Sequence, residues 1–106
     1  MIIISIEYID IINYFKEMPE NQIIDVECKC GTDIARYDKE GKGRLQKMYL
    51  SNILIDYTGQ LLTDPLPANG TDITCLGCDK RVATITMIHG RPAAKMNQGA
   101  IKKIST

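Results

Sequence analysis

The four cysteines of this 106-residue chain fall in two clusters: Cys28 and Cys30 in Val-Glu-Cys-Lys-Cys-Gly, and Cys75 and Cys78 in Thr-Cys-Leu-Gly-Cys-Asp-Lys-Arg. A tetrahedral Zn²⁺ takes four soft ligands with sulfurs ~2.3 Å from the metal, and two short pairs from distant parts of a chain supply that set. Each pair is followed by a residue that tolerates left-handed φ, Gly31 and Asp79, as suits a knuckle turn that aims backbone N–H groups at thiolates. Gly77, inside the second pair, loosens its turn further. Lys29, Lys80 and Arg81 add positive charge beside a Zn(Cys)₄ centre that carries about 2−. We therefore expect one structural Zn²⁺ per chain, held by Cys28, Cys30, Cys75 and Cys78.

Other uses of four cysteines are weighed against this one. Rubredoxin-type iron would take the same ligands. A thiol redox pair needs a lowered thiol pKa, usually at a helix N-terminus in a βαβ context, and here strand-like segments flank the cysteines. A catalytic zinc keeps one position open for water or substrate, and four cysteines close the shell. The only histidine, His89, precedes Gly-Arg-Pro and reads as a turn or surface residue.

The elements that must position the cysteines follow from hydrophobic period and turn chemistry. Ile4, Tyr8, Ile11, Ile12, Phe15 and Met18 form the stripe of an amphipathic helix over about 5–18, ended by Pro19. Ile6 and Ile9 lie off that stripe, so the helix is expected to be covered on more than one side, by its own domain or by a second copy in a homodimer. Ile24, Val26 and Cys28 alternate with Asp25 and Glu27, the pattern of a half-buried strand running into the first pair. Ile34 to Asp38 and Leu45 to Tyr57 read as strands around a hairpin loop, Lys39 to Arg44, with a bulge or bend near Ser51-Asn52 where the apolar phase switches. Asp64 to Thr71 is a turn-rich surface loop. Asp72 to Cys75 and Arg81 to Ile88 are strands around the second pair. From His89 onward Gly90, Pro92 and Gly99 break the pattern, leaving a basic tail with short helices around Ala93 to Met96 and after Ala100.

Thirteen basic and thirteen acidic residues give zero net charge, unevenly spread. Residues 1–27 hold six acids and one base, whereas residues 80–106 hold six bases and no acid. Lys39, Lys42, Arg44 and Lys47 make a basic hairpin, and Arg91, Lys95, Lys102 and Lys103 a basic tail. Together these could contact phosphates while Tyr37 or Tyr49 stacks on a base. A chain of zero net charge lacks the usual basic footprint of nucleic-acid binders, so the acidic and basic ends could instead pair within one fold. No apolar run reaches the ~20 residues of a membrane span. The start, Met-Ile-Ile-Ile-Ser, has no basic leader, so we expect a cytoplasmic protein in a reducing compartment.

The stretch Val-Glu-Cys-Lys-Cys-Gly-Thr-Asp-Ile-Ala-Arg-Tyr resembles the Cys-x-Cys-Gly opening of the glutathione-dependent formaldehyde-activating and centromere-protein-V-like family. The resemblance implies an Mss4-like fold, two strand-rich layers pinned by a structural zinc, with Cys28, Cys30, Cys75 and Cys78 at the four ligand positions in order. The family has a further cysteine cluster between the pairs for its catalytic zinc, and none lies between Ile34 and Thr74 here, so the resemblance argues for the fold and against the activity. A simple zinc ribbon fits the motifs nearly as well.

The sequence therefore sets these expectations. The chain is one mainly β (α+β) domain over residues 1–106, a zinc-stapled antiparallel sheet with an N-terminal helix. It acts as a binding or regulatory module for nucleic acid or a protein partner. A thiol-adduct lyase and a zinc-thiolate redox sensor are the rivals.

Overall fold

The computed structural model describes residues 21–103, and the N-terminal helix expected over 5–18, with the homodimer contact assigned to it, lies outside these. The regular structure of the described residues is almost entirely antiparallel β. Its strands are β1 (Asn21–Glu27), β2 (Asp33–Glu40), β3 (Lys47–Tyr49), β4 (Ile53–Asp56), β5 (Asp72–Thr74), β6 (Arg81–Ile88) and β7 (Arg91–Met96). They form a three-stranded sheet, β1-β2-β4, and a four-stranded sheet, β3-β7-β6-β5.

The alternation expected around the first cysteine pair is present. Val26 and Cys28 are buried, while Ile23, one step out of phase, is exposed. Ala35, Tyr37 and Lys39 point inward from β2, and Met48, Ile53, Ile73, Ile85, Ala94 and Met96 point inward from the other strands. The apolar residues among these, together with Leu45, Leu50, Leu61, Ala100 and Ile101, make one buried cluster that includes Cys28 and Cys75. Each strand thus presents its period-2 apolar face to a shared interior.

Two expectations change. Residues 45–57 are two strands in different sheets: β3 pairs with β7, β4 pairs with β2, and a 3₁₀ turn at Leu50–Asn52 carries the chain across. The apolar phase switch marked this crossing, so a bend does occur at Ser51-Asn52, but Lys39 to Arg44 does not close a simple hairpin.

The tail is also strand, with no helix at Ala93 to Met96. His89 (φ 51°) and Gly90 (φ 73°) form a two-residue loop between Ile88 and its partner Arg91, and two consecutive positive φ values match the twist of a tight hairpin. Pro92 is tolerated because β3 ends at Tyr49, opposite Ala93, so no partner strand needs an N–H at Pro92 on that side. Beyond β7 the chain turns at Asn97, whose side chain donates to Arg81 O (2.9 Å), and returns to β1. There Ile101 bridges Cys28, Lys29 N–H donates to Ala100 O (2.8 Å), and Lys102 N–H donates to Glu27 O (2.9 Å).

Candidate metal centre and basic groove

The first cysteine pair lies at the turn from β1 to β2 in one sheet, and the second at the turn from β5 to β6 in the other. Both turns are tight. Gly31 (φ 97°) donates its N–H to Cys28 O (2.8 Å), and Cys28 N–H donates to Thr32 O (2.9 Å). Asp79 (φ 62°) donates to Cys75 O (2.9 Å), and Cys75 N–H donates to Lys80 O (2.8 Å). The left-handed positions expected at Gly31 and Asp79 are therefore the residues that fold the cysteines inward.

The four sulfurs all lie within 4.8 Å of one another. Cys28 and Cys78 Sγ are 3.5 Å apart, as are Cys30 and Cys75 Sγ. A disulfide would need about 2.05 Å, and the cysteines are free thiols. Sulfurs ~2.3 Å from a central ion lie about 3.8 Å apart in a tetrahedron, so the donor set and its spacing fit a tetrahedral metal. Both of the 3.5 Å pairs join one sheet to the other.

The surroundings treat the thiols differently. Burial pushes the Cys28 thiol up to about 12. The Thr32 hydroxyl, 3.2 Å from Cys30 Sγ, and the Thr32 backbone N–H hold Cys30 down at about 6. Burial pushes Cys75 up, yet the backbone N–H groups of Cys78 and Gly77 outweigh it and leave this thiol below its ordinary value. The Gly77 N–H lies 3.3 Å from Cys75 Sγ, the knuckle arrangement that stabilises a thiolate.

Gly77 has a role that differs from loosening its turn. A Cβ there would overlap the Thr32 hydroxyl and stand 3.2 Å from Thr32 Cβ and 3.5 Å from Cys30 Sγ. The absent side chain lets the two knuckles meet. Thr32 itself was not singled out in the sequence, although a hydroxyl residue two places after Cys30 is the signal that could have found it.

The basic residues divide into two groups. Lys39, Lys42, Arg44 and Lys47 line one cavity of about 450 Å³ together with Glu40 and Tyr49. Lys39 is only 4% exposed, and its Nζ donates to Gly41 O at 3.0 Å. Arg91 joins this group from β7: its guanidinium stacks 3.9 Å from the Tyr49 ring centroid and donates to Ser51 Oγ at 2.7 Å. Lys47 Nζ lies 5.7 Å from the same centroid, and Lys95 sits directly across the ladder from Lys47.

Lys102 and Lys103 are elsewhere. Lys102 pairs with Glu27 at 2.8 Å at the metal end, joining the acidic and basic ends of the chain within one fold. The expected single basic tail is therefore split, because β7 carries Arg91 and Lys95 into the sheet and the return past Asn97 carries Lys102 away from them. His89 stands at the far end of the eight-residue β6 from Cys78, about 26 Å of extended chain, and serves the tight turn. Among the described residues no helix is long and apolar enough to cross a membrane.

The fold and site define a chain of two antiparallel sheets joined at a four-cysteine cluster, with bases gathered around a tyrosine away from it. Set against known proteins, the chain matches no family model, no curated protein and no solved structure.

Proposed function

We propose that this chain is a zinc-clamped module that binds single-stranded nucleic acid. The observation that carries this reading is the gathering of Lys39, Lys42, Arg44 and Lys47 on one cavity with Tyr49, whose ring Arg91 covers from a distant strand. Phosphates are met by cations that need only point the right way, and a base is met by an aromatic face, so this combination suits a flexible strand better than a duplex. The zero net charge does not oppose it, because the charge that matters is local: the cavity has four bases and one acid on its wall.

In this reading Cys28, Cys30, Cys75 and Cys78 hold a structural Zn²⁺, which when bound supplies a rigid link between the sheets. Two strand-rich layers pinned at this point support the Mss4-like expectation over a single-sheet ribbon. The experiment has two parts. Metal analysis of purified chain should give one zinc per chain, and clearly less would remove the clamp. Fluorescence anisotropy with a labelled ten-residue oligothymidylate should show binding whose log-log salt slope lies between about −2 and −4, as three to five released counterions give; no binding at low salt would remove the ligand.

A second reading is favoured by one observation. Cys30 is exposed and its thiol is held at about 6, the properties of an oxidisable sulfur. A zinc-thiolate redox sensor would release its metal on mild peroxide treatment and recover it with reductant.

A further inference from the structure

We infer that the cavity between β2 and β3 takes a single nucleotide unit, its phosphate held by Lys42, Arg44 and Lys47 and its base laid against Tyr49. This rests on the nucleic-acid reading above and names the subsite within it.

Size comes first. A cavity of about 450 Å³ stands near the lower end of small-molecule pockets, about 300–1,000 Å³. One nucleotide can enter such a space, whereas an extended strand must continue outside it. The charge pattern fits next. Lys42 and Arg44 are exposed on the loop after β2, so they can close on a phosphate, while buried Lys39 is fixed in the wall. A cation kept out of water acts on an anion through a lower dielectric than a surface lysine does.

Tyr49 supplies the part of the site that a bare anion would not need. Its backbone N–H donates to Tyr37 Oη at 2.9 Å, which fixes the residue on buried Tyr37. Arg91 covers the ring at 3.9 Å, and Tyr49 itself lines the cavity. Arg91 is in turn held by Ser51 Oγ. The aromatic platform is thus set before any ligand arrives. Leu45, Gln46 and Asn52 also line the cavity, the Asn52 amide tying Glu40 to Arg91 by donating to Glu40 Oε1 (3.3 Å) and accepting from Arg91 (3.4 Å).

The test is an amide-shift titration of the ¹⁵N-labelled, zinc-loaded full chain with thymidine monophosphate, inorganic phosphate and the ten-residue oligothymidylate. Thymidine monophosphate should move amides within residues 39–49, compete with the oligonucleotide, and bind at least ten-fold more tightly than phosphate. Tyr49→Ala should weaken the mononucleotide about ten-fold by loss of stacking while leaving phosphate binding unchanged, and Tyr49→Phe should restore it. The double variant Lys42→Ala with Arg44→Ala changes only exposed loop residues and should weaken both ligands. If the oligonucleotide binds while the mononucleotide leaves residues 39–49 unmoved, the subsite is wrong and the wider function stands. If phosphate binds as well as the nucleotide, or Tyr49→Ala has no effect, the site is an anion site and the inference falls. If none of the three binds, both readings fall.

Discussion

Gly77→Ala is the sharpest probe of how the two knuckles meet. The added methyl would overlap the Thr32 hydroxyl and sit 3.2 Å from Thr32 Cβ. Rotating Thr32 removes the first clash, at the loss of the hydroxyl beside Cys30 Sγ, but leaves the second, because Cβ moves only with the backbone. Either the threonine abandons the thiolate or the knuckles separate by a few tenths of an ångström. Overpacking of this kind costs typically about 1–3 kcal/mol, which corresponds to zinc binding weaker by about five- to 150-fold. Zinc affinity is read by competition with a chromophoric chelator, and thermal unfolding of the zinc-loaded chain gives the stability change. Thr32→Ala should remove the overlap with the hydroxyl and recover part of the loss in the double variant, a coupling expected for groups in contact. A Gly77→Ala chain that binds zinc within two-fold of the parent, or a double variant whose losses simply add, would refute the argument that Gly77 exists to admit Thr32.

Zinc affinity should fall as pH falls, because the Cys28 thiol, pushed up to about 12, must lose its proton to bind. Cys30 is already a thiolate at pH 7, so the number of protons released per zinc should rise as pH drops through about 6, steepening the plot of log affinity against pH; a constant slope from pH 8 to 5.5 would contradict this. Tyr37→Phe keeps the ring but leaves the Tyr49 N–H without its acceptor, and should cost about 1–3 kcal/mol in urea unfolding. Asp56 accepts from Thr58 N–H, Thr58 Oγ1, Gly59 N–H, Leu61 N–H and Leu62 N–H. Burial opposes its ionisation, but these donors prevail and lower its pKa, so its stabilisation is complete above the ordinary carboxylate value near 3.8 and is lost as pH falls through the lower folded value. Asp56→Asn should therefore destabilise the chain at pH 7 and narrow its gap to the parent in acid, as followed by circular dichroism. Lys102→Ala, which removes an exposed pair with Glu27, should leave zinc stoichiometry and thermal midpoint unchanged.

The local geometry of the metal site was legible because its signals are local. Cys28, Cys30 and Gly31 specify one knuckle within four residues, and Cys75, Cys78 and Asp79 specify the other within five. What could not be read is pairing across distance. Met48 looks the same in a strand that pairs with β2 or with β7, and only tertiary packing places it against Ala94 and the interior beneath. The tail was misread for a related reason. Gly90 and Pro92 are breakers in a helix or an interior strand, but a hairpin loop requires the first and an unpaired stretch of strand tolerates the second. Ala93 and Ala94 compound the ambiguity, since alanine favours helix in isolation and here both stand fully buried in a strand flanked by β3 and β6.

The clamp and the groove are linked through β2. That strand begins three residues after Cys30 and carries Lys39 about 20 Å from its own start, too far for a metal held by the cysteines to reach the cavity. Yet the cavity has walls from both sheets: Tyr37 and Lys39 belong to β2, and Lys47 and Tyr49 to β3. Its width is set by how the sheets lie against each other. At the metal end the sheets meet at the sulfurs, at the Cys28–Ile101 bridge and at the Lys102 backbone N–H donated to Glu27 O. At the groove end they are joined by the Tyr49 N–H donated to Tyr37 Oη at 2.9 Å. In the proposed reading a bound Zn²⁺ strengthens one end of a two-point attachment, and its removal would loosen the groove without taking away any residue of the cavity wall. A metal held this way would act on the proposed binding only through the geometry of the sheets, and the proposed recognition would rest with Tyr49, Arg91 and the lysines around them.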